Sequence, residues 1–388
     1  MTDSETISYI KLCAIKEVGS ITAMRLLNHF GTPDAIFSAS KTELMQVEKI
    51  GEKTAETIIK NRELVDTSKI LDAINRVGAR YINFKSKLYP KQLNALPDKP
   101  VGFYAIGDVD FSAPAISIVG SRNCTVYGQL VARRFASAFA QAGYTVISGM
   151  ARGIDTMAHL GALEVGGKTI AVLGSGVDVV YPPENMNLYQ KIIASGAVIS
   201  EFPMGTRADR QNFPIRNRIV AGMSLATLVV ESDIKGGSMI TARVASEYGR
   251  DVFAIPGRID SPLSRGCNAL IRDGAILAST PEDIIDALNF AKPIQMSLFD
   301  TPEIISAQSQ SQTPKQKPNI QEQPTNAPKL SNDELTIYKI IERETTIHID
   351  TLCELSNFEM KRCLPILLML EIKRLIIKDA GGNYSLRK

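Results

Sequence analysis

The residues best suited to chemistry lie in short segments rich in glycine and arginine, each of which follows a run of β-branched residues. The first is Gly120-Ser121-Arg122, which follows the apolar run at 116–119. A dinucleotide-binding turn of the G-x-G-x-x-G type has a glycine where this chain has Arg122, because the backbone must approach a pyrophosphate closely. A long cationic side chain at this position favours an anionic ligand that is contacted by side chains.

Similar segments follow four further runs. The carboxyl ends of parallel strands meet at one edge of a sheet, where open α/β proteins bind their ligands. We therefore expect five loops to converge on one rim. These loops occupy residues 120–122, 148–155, 173–181, 231–241 and 255–258.

The chemistry expected of this rim is anion recognition. Residues 236–238, Gly-Gly-Ser, precede an apolar helical run, so backbone N–H groups and the positive end of a helix dipole should face the crevice. Arg122 and Arg152 can make forked hydrogen bonds to phosphate oxygens. Further candidate donors are Ser121, Lys168 and Ser238.

A cationic segment lies between the fourth and fifth β-branched runs. Residues 206–222 carry four arginines against one acid, Asp209. This density favours contact with a polyanion, and ion pairs with Glu201 or Glu231 are the alternative role for one or two of the arginines. The four are Arg207, Arg210, Arg216 and Arg218.

Residues suited to catalysis are sparse in this region. A hydrolase or transferase needs a nucleophile, a base that titrates near neutral pH or a metal cage. His159 is the only histidine between 89 and 290, and its place in a helical pattern favours packing. The acids Asp155, Asp178 and Glu231 are expected to cap and orient loops. The sequence therefore predicts a binding site and not an enzyme, with no cofactor and no metal.

Six β-branched runs must position these loops. They alternate with helical patterns between about 112 and 290, which is typical of an α/β domain with a Rossmann-like doubly wound parallel sheet, here at 89–290. The runs are AISIV, YTVIS, TIAVL, AVIS, ATLVV and DVFAI.

An N-terminal helical domain is expected at 1–88. It contains two segments, 16–31 and 48–60, with the pattern of the helix-hairpin-helix turn that offers backbone N–H groups to phosphates. Both turns are degenerate, because Glu17 and Lys49 replace the usual glycine. DNA contact and a role in packing or protein contact both remain open for this domain.

The C-terminal part predicts a linker and a winged helix. Residues 291–330 are rich in Gln, Pro, Ser and Thr, which favours disorder. Residues 331–388 predict three helices and a glycine-turned hairpin, with Leu335, Tyr338 and Ile341 facing inward. Its basic residues concentrate at 361–388, so contact with a DNA backbone and a protein-binding or autoregulatory role are both open.

Bulk composition limits the class of protein. The 388 residues are 44% hydrophobic and 22% charged, which is ordinary for a soluble globular protein. A net charge of +3 is too small to predict nucleic-acid binding from the overall field. The five cysteines are scattered and form no zinc pattern, which indicates a reducing compartment. With no signal peptide and no long apolar window, we expect a cytoplasmic protein without membrane contact.

Seven motifs resemble, closely and in order, the DNA processing protein A family, also called DprA or Smf. The resemblance covers about 89–288. It implies a non-enzymatic protein that binds single-stranded DNA and assists loading of the RecA recombinase in natural transformation, as a homodimer through the central domain. The motifs are IVGSR, SGMARGIDTMAHLGAL, GGKTIAVLGSGVDVVYPPEN, SEFPMGT, FPIRNRIVAG, GGSMITA and GRDVFAIPG.

The resemblance also implies a DNA pocket lined by an arginine and a lysine of the family, which correspond to Arg122 and Lys168. A single strand needs surfaces on which bases stack, and Tyr181 and Phe213 are candidates, with core packing as the alternative. The complete predicted DNA-binding set is Gly120, Ser121, Arg122, Arg152, Lys168, Tyr181, Phe213, Arg216, Asn217, Arg218, Gly236, Gly237 and Ser238.

Three further hypotheses concern other partners and activities. Nucleotide-monophosphate phosphoribohydrolases share this fold type, but residues 235–241 lack their P-G-G-x-G-T loop. A purely structural adaptor is disfavoured by the arginines of the rim. In the linker, Gln295, Leu298 and Phe299 resemble the Gln-x-x-Leu-Phe peptide that docks on the replication sliding clamp.

Overall fold

The computed structural model divides into two compact units, Met1–Leu298 and Phe299–Lys388. The predicted linker at 291–330, with its clamp-like peptide Gln295–Phe299, lies outside the residues that the structure describes. No helix of the described chain is long and apolar enough to cross a bilayer. The described residues are 4–15, 18–290, 332–344, 346–356, 358, 360–373, 375–378 and 383–386.

Six helices form the N-terminal domain around a core that includes Leu12, Leu26, Ile36 and Ile58. Their apolar residues recur every three or four positions, so each helix buries one face. The helices are α1 (Ser4–Ala14), α2 (Ser20–Phe30), α3 (Pro33–Ser38), α4 (Lys41–Leu44), α5 (Glu52–Arg62) and α6 (Thr67–Arg76).

The two hairpin turns of this domain differ in their surroundings. Gly19 and Gly51 precede α2 and α5, and neither helix has a side-chain cap. The Ser20 hydroxyl donates to Glu201 Oε2 of the sheet domain at 2.9 Å, so the first hairpin packs against protein. Gly19 and Gly51 are both exposed, so the Ser20 contact, and not burial of the turn, distinguishes the first hairpin from the second.

A nine-stranded sheet forms the second part of this unit, in the order β1-β2-β6-β5-β4-β3-β7-β8-β9. Strands β3 to β9 run parallel, and β1 and β2 form an antiparallel edge. The strands are β1 (Arg80–Asn83), β2 (Gly102–Gly107), β3 (Ala115–Gly120), β4 (Thr145–Ser148), β5 (Thr169–Val172), β6 (Ala197–Ser200), β7 (Ala226–Val230), β8 (Asp251–Ala254) and β9 (Ile276–Leu277).

The doubly wound parallel sheet is confirmed, since the six predicted runs form β3 to β8. Strands β1, β2 and β9 were not predicted. Residues 80–83 fall within the range that the sequence suggested for the helical domain, yet they pair with β2 and belong to the sheet.

Helices cover both faces of the sheet, and β3 shows why. Ile116 and Ile118 lie in one apolar cluster with α8, α9 and α14, whereas Val119 lies in the other with α11, α12 and α13. Alternate residues of a strand point to opposite faces, so a strand buried on both sides is apolar throughout. The helices are α7 (Lys91–Asn94), α8 (Val126–Gln141), α9 (Ile154–Glu164), α10 (Met186–Ser195), α11 (Asn212–Gly222), α12 (Gly237–Glu247), α13 (Arg265–Arg272) and α14 (Pro281–Phe290).

The second unit is a winged helix. Its core includes Ile337, Ile341 and Leu367, whereas Leu335, which we expected to face inward, is exposed because Ile337 occupies the inner face. Strand β10 was not predicted. The elements are α15 (Asn332–Glu344), β10 (Thr346–His348), α16 (Ile349–Ser356), α17 (Met360–Ile372), β11 (Ile376–Lys378) and β12 (Asn383–Leu386).

Candidate functional site

A cavity of about 480 Å³, which we call the cleft, opens between the loops that follow β3 and β7. These strands are neighbours, but the chain leaves β3 for β4 on its other side, so the cleft lies at the point where the strand order reverses. Such a switch point is where open α/β sheets bind ligands. The lining includes four cationic side chains, Arg122, Arg210, Arg216 and Lys235, and two acidic ones, Asp155 and Asp233.

The turn after β3 is fixed by close backbone contacts. A Cβ atom on Gly120 would lie 1.9 Å from the carbonyl oxygen of Val230, so no other residue fits there. The next amide, of Ser121, donates to the carbonyl oxygen of Glu231 at 2.7 Å. The Ser121 hydroxyl accepts from the Asn123 amide at 3.2 Å, and its own proton remains available. This turn delivers Arg122 to the mouth of the cleft.

Arg122 is exposed and makes no ion pair with any residue of the described chain. Its guanidinium carbon lies 4.9 Å from the centroid of the Phe213 ring. The Phe213 ring packs in turn against Tyr181, with 5.7 Å between centroids and 41° between planes. The guanidinium is therefore held by an aromatic face, and its N–H groups are available to an anion.

Arg216 forms the floor of the cleft. It is 4% exposed and donates to the carbonyl oxygen of Val172. Burial lowers the pKa of Arg216 to about 10, so the guanidinium remains charged at neutral pH, while the nearby Asp155 opposes the shift. Burial likewise raises the pKa of Asp155, and Arg216 opposes that effect. Arg216 thus supplies positive potential from below the cleft.

Asp155 orders the loop that follows β4, as expected from its sequence position. Its carboxylate accepts hydrogen bonds from the amides of Gly149 and Ala151, at 3.1 and 3.3 Å. Glu231 has a comparable role, because its carboxylate accepts from the amide of Thr125 at 2.7 Å and from the Thr125 hydroxyl. Neither acid is paired with Arg122.

The loop after β7 presents the amino end of α12 to the cleft. Gly236 precedes the helix, and no side chain caps the first turn that begins at Gly237. The Ser238 hydroxyl donates to Ser232 Oγ at 2.7 Å, so this predicted donor is engaged within the loop. Asn217 ties α11 to the loop through a 3.3 Å hydrogen bond to the carbonyl oxygen of Gly237. Backbone amides are thus the main donors of this wall.

The structure does not bring Arg218 to the cleft. It forms an ion pair with Glu201, and the two side chains are only 11% and 9% exposed. Burial raises the pKa of Glu201, and the charge of Arg218 opposes that shift. Because residues of an α-helix are about 100° apart, Arg218 lies on the opposite side of α11 from Arg216. The structure thus places Arg218, a member of the predicted DNA-binding set, in an ion pair outside the cleft.

Lys168 is also placed away from the cleft. It immediately precedes β5, so it lies at the amino edge of the parallel strands, opposite the edge where the loops converge. The cleft lining does not include it. Arg152 lies near Tyr181 and Phe213 but is exposed and ion-paired with Glu184.

Two cations of the cleft were not in the predicted set. Arg210 precedes α11, and Lys235 stands just before Gly236. Both are exposed. The signal for Arg210 was its cationic segment, and the signal for Lys235 was its position beside the glycine pair.

His159 is a packing residue, as predicted. It is fully buried, and its Nδ1 lies 2.7 Å from Thr169 Oγ1. Burial lowers the pKa of His159 to about 3, so the ring is neutral at physiological pH. The residues that line the cleft include no histidine and no cysteine.

A doubly wound sheet with a cleft of arginines and helix amides at its switch point defines a Rossmann-like protein whose cleft is suited to an anionic ligand. The domains on either side narrow this class further. The chain belongs to the DNA recombination-mediator protein A family, also called DNA processing protein A or Smf, whose model matches residues 80–289. Residues 9–62 match a SAM-like helix-hairpin-helix tandem, and residues 321–382 match the DprA winged helix domain.

Relatives cover much of the chain. Protein Smf of Synechocystis sp. is 36% identical over 293 residues, which is 74% of each chain. The X-ray structure of DNA processing protein A from Streptococcus pneumoniae covers 74% of this chain and 98% of its own, with a TM-score of 0.65 and 30% identity. A structure of the Helicobacter pylori protein, described for its single-stranded DNA binding mode, covers 54% of this chain and 96% of its own, with a TM-score of 0.50 and 29% identity.

Proposed function

We propose that this protein binds single-stranded DNA in the cleft without catalysing a reaction on it. One observation carries the proposal: Arg122 is exposed, has no acidic partner in the described part of the chain, and lies over Phe213, which packs against Tyr181. A single strand exposes both its phosphates and the faces of its bases. A cation beside an aromatic ring can bind a phosphate and stack on a neighbouring base at the same time. The single-stranded DNA binding mode described for the Helicobacter pylori relative supports the same assignment.

The form of the cleft favours a single strand over a duplex. In a duplex the base faces are stacked on one another and cannot reach an aromatic side chain. Phosphates of the strand can accept hydrogen bonds from the backbone amides at the start of α12. They can also pair with the cations Arg210 and Lys235. Arg216 raises the potential of the whole cleft from its buried position.

The test is a salt series with Arg122→Ala. Each phosphate neutralised in a single strand contributes about 0.7 to the slope of log affinity against log salt, so this variant should lower the slope by roughly 0.7. Arg134→Ala is the matched control, because Arg134 is an exposed arginine of α8 outside the cleft lining. An unchanged slope with a lower melting temperature would show that Arg122 braces the loops and does not hold the strand.

We propose that the protein acts as a homodimer in the cytoplasm and assists RecA loading. The edge strand β9 supports the dimer, because Ile276 and Leu277 are 44% and 46% exposed and unpaired strand edges favour association. Leu277→Glu should shift the species seen in analytical ultracentrifugation to monomer.

RecA assistance should shorten the lag before ATP hydrolysis on single-stranded DNA, and Arg122→Ala should abolish that effect.

The clamp-like peptide Gln295-Met-Ser-Leu-Phe299 remains a proposal for a further partner. A synthetic peptide of this segment should bind the sliding clamp in a fluorescence polarisation assay, and a version with Leu298 and Phe299 changed to alanine should not. Binding by neither peptide would end this proposal without affecting the cleft.

A further inference from the structure

A second cavity, which we call the side pocket, adjoins the cleft. It has a volume of about 350 Å³ and lies between the first turn of α8 and the loop that follows β8. Leu263 lines both cavities, and Glu231 and Ser232, which are consecutive, line one each. The end of β7 therefore forms the boundary between the cationic cleft and the side pocket.

The walls of the side pocket differ in chemistry from those of the cleft. Tyr127, on the first turn of α8, lines the side pocket and is 57% exposed, so its ring is available to a ligand and contributes little to the core. Ile255, Pro256 and Leu263 supply further apolar lining. An aromatic ring and apolar side chains around a space of this size suit a planar heteroaromatic ring.

Polar and charged side chains also line this space, and among them the cation Arg258 is ion-paired with Asp260. The others are Thr125, Glu231, Ser261 and Ser264. Ser264 is 9% exposed, and its hydroxyl makes no hydrogen bond within the described chain. The Glu231 carboxylate accepts two hydrogen bonds, both from Thr125, which leaves further lone pairs for a ligand. Glu231 also has a φ of 49°, in the left-handed region that non-glycine residues seldom adopt, and such positions cluster at ligand sites.

We propose that the side pocket holds a base of the same DNA strand whose phosphates bind in the cleft. The inference rests on the proposed function and extends it by one subsite. A carboxylate can only accept hydrogen bonds. Cytosine offers its exocyclic amino group, whereas the single N3–H of thymine lies between two carbonyl oxygens that repel a carboxylate, so the pocket prefers amino-bearing bases. The hydroxyl of Ser264 completes the contact with the edge of the base.

The experiment compares Tyr127→Ala and Tyr127→Phe with the parent chain by fluorescence anisotropy. The probes are an oligo-dC strand, an oligo-dT strand and an abasic strand of equal length. Loss of one stacked base costs about tenfold in affinity, so Tyr127→Ala should weaken oligo-dC binding by about tenfold and leave the salt slope unchanged. Tyr127→Phe keeps the ring and should bind oligo-dC like the parent.

Two controls distinguish loss of the base contact from a change in phosphate binding or in folding. Val126→Ala changes an exposed apolar residue of the same helical turn that does not line the pocket, and it should have no effect. The abasic strand should bind Tyr127→Ala and the parent equally well. Tyr127 is largely exposed, so the melting temperature of its variants should match that of the parent.

The outcomes separate this inference from the proposed function. Tight binding of oligo-dC by the parent, with no loss in Tyr127→Ala, would overturn the base subsite, leave the cleft assignment standing and point to a protein partner for the pocket. Equal affinity of the parent for oligo-dC and oligo-dT would overturn the preference for amino-bearing bases. Failure of the parent to bind any strand would overturn both proposals.

Discussion

At the residue scale, the buried imidazole of His159 has one ring nitrogen hydrogen-bonded and the other without a partner among the described residues. Thr169 Oγ1 donates to the carbonyl oxygen of Val146 at 2.7 Å, so it accepts from His159 Nδ1, and the proton of the neutral ring is on Nδ1. His159 Nε2 is buried and has no hydrogen-bond partner among the residues that the structure describes. Protonation of Nε2 would place a charge in the apolar interior.

This arrangement predicts a dependence of stability on pH. The pKa of His159 is about 3 in the folded chain and about 6.5 in an unfolded one, so the unfolded state binds the extra proton between these values. The His159 contribution is therefore fully present above about pH 6.5 and is lost as the pH falls toward 3, by up to ~1.4 kcal/mol per pH unit.

His159→Asn should remove this dependence while its side-chain amide still donates to Thr169. Urea unfolding at pH 7 and pH 5 should show that the parent loses about 2 kcal/mol more than the variant over this interval. Carboxylates titrate in both proteins and cancel in the comparison. Equal losses in the two proteins would mean that His159 is hydrated and titrates normally.

Single residues also show where sequence reasoning succeeds and fails. Arg122 was identified because an arginine in a glycine turn is chemically conspicuous. Arg216 and Arg218 looked equivalent, because α11 has no clear apolar face from which the direction of each side chain could be inferred. Lys168 was assigned to the DNA pocket through the family resemblance, although a residue that precedes a parallel strand lies at the edge opposite the carboxyl-end loops. Burial and direction are properties of the assembled sheet.

At the scale of elements, α11 joins the helical domain to the sheet domain. Its Arg218 donates to Glu201 and to Ser20 Oγ of α2, the latter at 3.3 Å. Removal of one partner of a buried pair leaves the other charge uncompensated. Arg218→Ala should therefore lower the free energy of unfolding by about 3 kcal/mol.

The control for this prediction is the double variant Arg218→Ala with Glu201→Gln, which should regain part of the lost stability in chemical denaturation. The salt slope of DNA binding should be that of the parent in both variants. A slope lowered by about 0.7 in Arg218→Ala would restore the interpretation of this residue as a phosphate contact.

The elements were predicted to the extent that their local patterns were strong. The six runs that became β3 to β8 are β-branched and buried on both faces, so their composition alone marks them as strands. Strand β1, Arg80–Asn83, has a polar residue at each end, and β9 has only two residues. Both exist through pairing with strands that are about 20 residues away in sequence. Such pairing is invisible to a window of local residues.

At the scale of the whole molecule, the cleft lies entirely within the unit Met1–Leu298. In the winged helix, Arg362 is paired with Asp333 and Lys373 with Glu334, each at 2.7 Å. These two cations are thus partly neutralised within their own domain.

Removal of residues 291–388 should therefore leave the affinity for single-stranded DNA within about twofold and its salt slope unchanged. Filter binding at two salt concentrations, with circular dichroism as the check on folding, measures this. Loss of most of the affinity in a folded truncated chain would move the main DNA site to the winged helix.

The segment that forms α11 has an evolutionary consequence. One short helix presents Arg216 and Asn217 to the cleft, Arg218 to the helical domain, and Ile219 and Val220 to the sheet core. A substitution at any of these positions changes a contact with a ligand, with the other domain or with the core. Substitutions should therefore be tolerated mainly on the outer face of the helix, where Ile215 is 45% exposed. Related chains should consequently diverge slowly along this helix even where the flanking domains have been exchanged or lost.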